Sequence, residues 1–175
     1  MRYFSVLTGS KLLWSEIRVD RISPLSKWLC SVLLFNTVIV LIALSLASES
    51  EPLKLWTVYS ARLAFVYFFC SFSISSICVF LSNSVTRYLR RNRRYIGLSF
   101  ALAHAIHLIV LTSYLLAIDY FPGWIVIIFG GLGYVMIFLM AITSNDQSVQ
   151  LVGLQRWTWL HKGGVYYIAL IFTYI

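Results

Sequence analysis

The residues of this chain best placed to do chemistry are its three histidines, His104, His107 and His161. Each falls in or at the edge of a long apolar stretch, and none lies in a polar loop. An ionisable side chain inside a membrane helix is costly and marks a functional site by default. His104 and His107 are spaced i and i+3, so they share one face of a helix. Neutral imidazole is a good ligand for iron. Heme iron inside a helix bundle is held by imidazoles from facing helices. The competing reading is that these rings bond to hydroxyls or carbonyls of a packed bundle. No Ser/His/Asp arrangement, P-loop or flavin- or nicotinamide-binding domain accompanies them. The run Gly130-Gly131-Leu132-Gly133-Tyr134 lies inside an apolar span with no preceding strand, so it is not a dinucleotide fingerprint.

Composition says what must position these rings. The chain has 175 residues, of which 60% are hydrophobic, 17% aromatic and 11% charged, with a net charge of +8. Charged residues fall far below the roughly 25% of an ordinary soluble domain. The expectation is an all-α, polytopic transmembrane bundle of about five spans, preceded by an interfacial segment. The positive charge gathers in the loops that flank apolar runs. That is the pattern of topology determinants and anionic-lipid contacts rather than of nucleic-acid binding. Cys30, Cys70 and Cys78 all lie in apolar segments, which argues against a disulfide framework or a zinc site. Residues 1–26 lack the uninterrupted apolar core of a signal peptide.

In chain order, residues 1–26 form the N-terminal segment, read either as an interfacial amphipathic helix or as a loose tail. Pro24 is expected to end it. Residues 27–175 form the bundle. The first span runs from about Lys27 to Ala47, with Asn36 expected to face another helix. The second runs from about Val58 to Asn83, where Ser71, Ser73, Ser75 and Ser76 permit close helix approach. Five arginines follow (Arg87, Arg90, Arg91, Arg93 and Arg94), then a third span from about Tyr95 to Ala117. Asp119, Pro122 and Gly123 make a turn into a fourth span, about Trp124 to Thr143. A polar link leads to a fifth, about Trp157 to Ile175. Gly130, Gly131 and Gly133 would admit a partner helix or a porphyrin edge.

Lys and Arg concentrate before span one, between spans two and three, and between spans four and five. This places the N-terminus in the cytoplasm and the C-terminus outside. Spans three and five then run parallel, and depth can be counted from their inner ends at 1.5 Å per residue. His104 lies roughly 15 Å from Arg94, His107 roughly 20 Å, and His161 about 8 Å from Arg156 on that scale. His104 is the nearer match in depth to His161, and a turn of shift in either helix would change the pairing. Arg62, Arg94 and Lys162 are candidates to meet anionic heme propionates, with interfacial anchoring as their other role.

Three motifs in order carry a resemblance. They are Arg93-Arg94-Tyr95-Ile96-Gly97-Leu98 with His107 ten residues after the glycine, Ala141-Ile142-Thr143-Ser144, and Arg156-Trp157-Thr158-Trp159-Leu160-His161. From about Tyr59 to the C-terminus the chain resembles the ferric reductase-like transmembrane domain family. It is most similar to the bacterial branch that includes the heme-binding membrane subunit of the methionine sulfoxide reductase system. The resemblance implies a bundle of about six helices in the bacterial inner membrane carrying heme b, one or two copies. It implies electron transfer from a cytoplasmic flavin donor or redox partner protein to an external acceptor, without a catalytic domain in the chain itself. It carries over His107 and His161 as ligand positions and gives His104 no counterpart. Relatives often place a second histidine thirteen residues after the first in span five, where this chain has Tyr174. They also usually have a sixth span, which another membrane subunit would have to supply here. The alternatives are a cofactor-free membrane scaffold subunit and, more weakly, a small transporter, for which no inverted repeat is visible.

Overall fold

Long uninterrupted apolar runs leave the backbone one solution in lipid, which is to satisfy its own hydrogen bonds as helix. The computed structural model follows this rule throughout. It describes the backbone of residues 6–46 and 52–174, and the side chains of 26–46 and 52–173. Seven helices follow one another: α1 (Val6–Leu46), α2 (Pro52–Phe80), α3 (Ser84–Arg91), α4 (Arg93–Ala117), α5 (Trp124–Ile142), α6 (Asp146–Val152) and α7 (Leu154–Tyr174). The described residues contain no strand. The all-α transmembrane bundle is as expected.

Four helical stretches are long and apolar enough to cross a bilayer: Ser26–Leu46, Pro52–Phe80, Arg93–Ala117 and Trp124–Ile142. Only 11% of the residues in the most apolar part of α5, and 28% of those in α2, are buried inside the protein. Exposed apolar surface on that scale requires lipid around it. Where a fifth span is expected the chain forms α7, a helix of 21 residues that is not apolar enough to stand with those four. At 1.5 Å per residue it spans about 31 Å, enough to cross. It meets the length criterion alone, because Arg156, His161 and Lys162 crowd its first half.

Two polar links are helical as well. Asn83 accepts from the Thr86 backbone N–H at 2.9 Å while Thr86 Oγ1 accepts from the Asn83 N–H at 3.1 Å. This reciprocal cap starts α3, so part of the arginine cluster is a short helix rather than a loop. Asn145 caps α6 one way only, its Oδ1 accepting from the Ser148 N–H at 2.7 Å. Gly153, at φ 85°, ends it where a side chain would be strained. The turn at Asp119, Pro122 and Gly123 forms where expected, with Asp119 at φ 49° and Gly123 at φ 88°. Pro24 does not end a helix, because α1 runs through it from Val6 to Leu46. Proline removes one backbone donor and crowds the preceding turn, which bends a long helix as readily as it stops one. The side chains of residues 1–25 lie outside the described residues, and with them the proposed amphipathic face.

The helices pack as a triad and a pair. Helices α1, α2 and α4 form the triad, with α2 against α4 as its largest interface, and α5 packs on α7. The shared core comprises Val32, Ala64, Phe68, Ile96, Phe100, Ala103, Ile137 and Ile168. Asn36 is buried, and its Nδ2 donates to the carbonyl of Val32 at 3.0 Å. Arg93 Nε donates to the carbonyl of Ser71 at 2.8 Å, and Gly97 faces the Ser71 hydroxyl. The pair meets the triad along an aromatic seam. Phe172 lies 5.3 Å from Phe65 and 5.3 Å from Phe68, between ring centroids, and Tyr166 lies 6.4 Å from Phe72.

Of the three glycines in α5, only Gly133 is a close-approach site. A Cβ there would stand 3.1 Å from Ile171 Cδ1, while Gly130 and Gly131 have nothing within 4 Å. Gly133→Leu is therefore expected to separate α5 from α7 and to lower stability by about 1–3 kcal/mol. Gly131→Leu should leave stability unchanged. Unfolding of the two variants in mixed micelles, followed by circular dichroism, measures the difference.

Candidate functional site

Helix α4 brings His104 and His107 together, with ring centroids 5.6 Å apart. The i, i+3 spacing turns both rings toward the interior of the bundle rather than to lipid. His107 reaches across to α2, where its Nδ1 lies 3.0 Å from Ser60 Oγ. Ser60 is buried, and its hydroxyl donates to the Thr57 carbonyl at 3.0 Å. With the hydroxyl proton on Thr57, the Ser60 oxygen accepts and the ring presents Nδ1–H. A histidine anchored through Nδ1–H carries its lone pair on Nε2, the arrangement found behind metal-ligating imidazoles.

His104 is surrounded differently. Tyr134 of α5 stacks on it at 4.7 Å, and Phe100 and Phe172 lie 5.3 Å and 5.8 Å away. Its Nδ1 is buried without a hydrogen-bond partner. An unpaired buried polar atom costs about 1–3 kcal/mol in a protein interior. Such an atom calls for an explanation beyond packing.

His161 does not join this pair. Trp157 stacks on it at 4.2 Å, and its Nε2 lies 3.1 Å from Thr143 Oγ1. The Thr143 hydroxyl already donates to the Leu139 carbonyl at 2.6 Å, so its oxygen accepts from His161 Nε2–H. Trp157 Nε1 donates to the Thr143 carbonyl at 2.9 Å and closes the cluster. The Ala141-Ile142-Thr143-Ser144 and Arg156–His161 segments thus dock on each other.

The residue of α7 that does face His104 is Phe172. Eleven residues separate His161 from Phe172, about 16 Å along the helix axis. The charge that acts on His161 is that of Arg93, eleven residues before His104 on α4. The two helices run parallel, as the charge pattern required. Their register, however, leaves His161 about three turns below the pair. Counting from charged ends placed the rings at similar depth because α7 starts lower than its first arginine suggests. Among the described residues no group of three or more His, Cys, Asp or Glu side chains converges.

The three basic candidates are dispersed. Arg94 Nη1 pairs with Asp146 Oδ1 at 3.2 Å, both exposed, a contact worth at most about 1 kcal/mol. Arg62 lies over its neighbour Tyr59, 5.2 Å from the ring centroid, on an exposed face. Lys162 is exposed on α7. Ser60 and Tyr134 are the site residues that sequence reasoning missed. A lone serine and tyrosine in apolar runs carry no signal until helix register is known.

No protein-family model, no curated protein and no solved structure matches the chain.

The interhelical bond from Ser60 should contribute about 1 kcal/mol, the scale measured for such bonds in membranes. Ser60→Ala is therefore expected to lower unfolding free energy in mixed micelles by about that amount. Adding His107→Ala should then cost less than it does in the parent protein, because the pair is coupled. Strict additivity in that double-mutant cycle would mean that the two side chains do not interact.

Proposed function

We propose that this is a heme b-binding integral membrane protein that carries electrons, a component of a ferric reductase-like redox relay. One observation carries the reading: His107 stands inside the bundle with Nδ1 tied to Ser60 and Nε2 left as the ligating nitrogen. His104, one turn away on the same face, adds a second imidazole, with a buried Nδ1 that has no partner. The order of the motifs around Arg93–Leu98, Ala141–Ser144 and Arg156–His161 supports the same family.

The fit differs between the two sides. The α4 side offers imidazoles suited to an iron porphyrin. His161 does not fit as their opposite ligand, since it lies about 16 Å lower and donates its Nε2–H to Thr143. The reading is accordingly of heme that would be held from α4, by His107 with His104 beside it. Heme would supply one-electron chemistry there. Ser60 would orient the ligand ring, and the aromatic side chains of α4, α5 and α7 would exclude water. The positive-inside distribution puts the arginine end, the N-terminus and His161 at the cytoplasmic face of a bacterial inner membrane, with α7 as the fifth crossing. A flavin donor or redox protein would dock at that end, and another membrane subunit would cover the open faces of the bundle.

A second reading has its own support. Tyr134, Phe100 and Phe172 already fill the space beside His104. That packing suits a scaffold subunit that keeps the fold without a cofactor.

The reduced-minus-oxidised spectrum of protein purified from heme-replete cells separates the two. Bands of a b-type heme are expected, lost or shifted in His107→Ala and retained in His161→Ala. A flat spectrum from well-folded protein would leave the scaffold reading. Loss of the bands in His161→Ala alone would refute the placement of the ligand on α4.

A further inference from the structure

Away from the histidines, a cavity of about 620 Å³ opens between α1, α2, α3 and α4 at the arginine-rich end of the bundle. Its volume is typical of a pocket for a small molecule or a single lipid tail. Its walls include Phe35, Val66, Tyr67, Tyr88 and Leu89, and Lys27 stands at its mouth. The wall is almost wholly apolar. Its main polar pair is already spent, because the Ser31 and Tyr67 hydroxyls bond each other at 2.7 Å. Phe35, Val66 and Tyr88 are 51%, 55% and 48% exposed, so the cavity is open sideways to the bilayer.

The depth is informative. From Lys27 to Phe35 is eight residues of α1, about 12 Å along the axis. Half the hydrocarbon core of a bilayer is about 15 Å. The groove therefore runs from the interface to near the midplane, the path of one acyl chain within one leaflet.

Among the described residues the charge at the mouth is one-sided. Lys27 is exposed and has no carboxylate partner among the described residues. Helix α3 supplies Tyr88 and Leu89 to the wall, and on the same short helix Arg87, Arg90 and Arg91 are exposed. Among the five arginines of this region, Arg94 is paired with Asp146 and Arg93 with the Ser71 carbonyl, and the three on α3 are left for another partner. An apolar trough a leaflet deep with uncompensated cations at its rim is complementary to one ligand class, an amphiphile with a phosphate head.

We propose that this groove is a specific seat for an anionic glycerophospholipid, with one acyl chain between α1 and α2 and the head group held by Lys27 and the guanidiniums of α3. The site is independent of the histidines and of any heme. Its consequence for the fold is direct, because the lipid fills a gap that α1, α2 and α4 leave between them and ties α3 to the triad.

The protein is purified in detergent and titrated with dioleoyl phosphatidylglycerol or with dioleoyl phosphatidylcholine, and bound lipids are counted by native mass spectrometry. The first phosphatidylglycerol is expected to bind at least about tenfold more tightly than phosphatidylcholine, since each basic group near an anionic head contributes about fivefold. Lys27→Gln and Arg91→Gln should each weaken the anionic lipid by about that fivefold and leave phosphatidylcholine unchanged. Val66→Trp, which fills the groove from an exposed position, should abolish the first binding step while helicity and elution volume stay the same. Equal affinity for the two lipids, or full binding to Val66→Trp, would overturn the proposal. So would a lipid-free particle of twice the chain mass that Val66→Trp dissociates, which would assign the groove to a second copy of the chain.

Discussion

A polar group inside a bilayer has no water to return to, and the interior of this bundle is arranged around that constraint. Backbone groups are satisfied by helix formation. Side chains have to find each other, and the register of the helices decides which ones do. The bond between Ser60 on α2 and His107 on α4 is the clearest case. It crosses the largest interface of the bundle and fixes a ring orientation. The Asn36 amide N–H and the Thr143 hydroxyl solve the same problem with carbonyls of their own helices, at 3.0 Å and 2.6 Å. Asn36 Oδ1, Trp56 Nε1, Ser99 Oγ and His104 Nδ1 are left without a solution, and of these only His104 is an imidazole.

The bundle was largely legible in the sequence because its signals are local. Apolar run length, the turn at Asp119–Gly123 and the interior position of Asn36 all follow from adjacent residues. The caps at Asn83 and Asn145 were legible in principle, since asparagine three residues before a hydroxyl side chain is a helix start. They were obscured by the habit of reading basic and polar links as loops. Pro24 shows the opposite error, where a residue that often breaks helices was outweighed by the helical preference on both sides.

The site was legible only in part. The spacing of His104 and His107 put both on one inward face, which is a property of a single helix. The position of His161 relative to them is a property of two helices, and chain order contains no measure of how far one slides along the other. Charged residues mark where a helix leaves the bilayer only to within a turn or two, because long basic side chains reach back to the interface. That uncertainty covers the difference between the roughly 7 Å offset counted from the charged ends and the about 16 Å found. Ser60 and Tyr134 were invisible for the same reason, since each acquires its role only from the neighbour that register assigns to it.

The division into a triad and a pair has a mechanical implication. Helices α5 and α7 grip each other through Gly133 and Gly164, where small residues let the backbones close up. They adhere to the triad mainly through rings: Phe172, Tyr166 and Tyr134 against Phe65, Phe68, Phe72 and His104. Flat rings slide and pivot over one another without breaking directional bonds. A shift of the α5–α7 unit against the triad would therefore repack rings and strain the Arg94–Asp146 ion pair while leaving every helix intact.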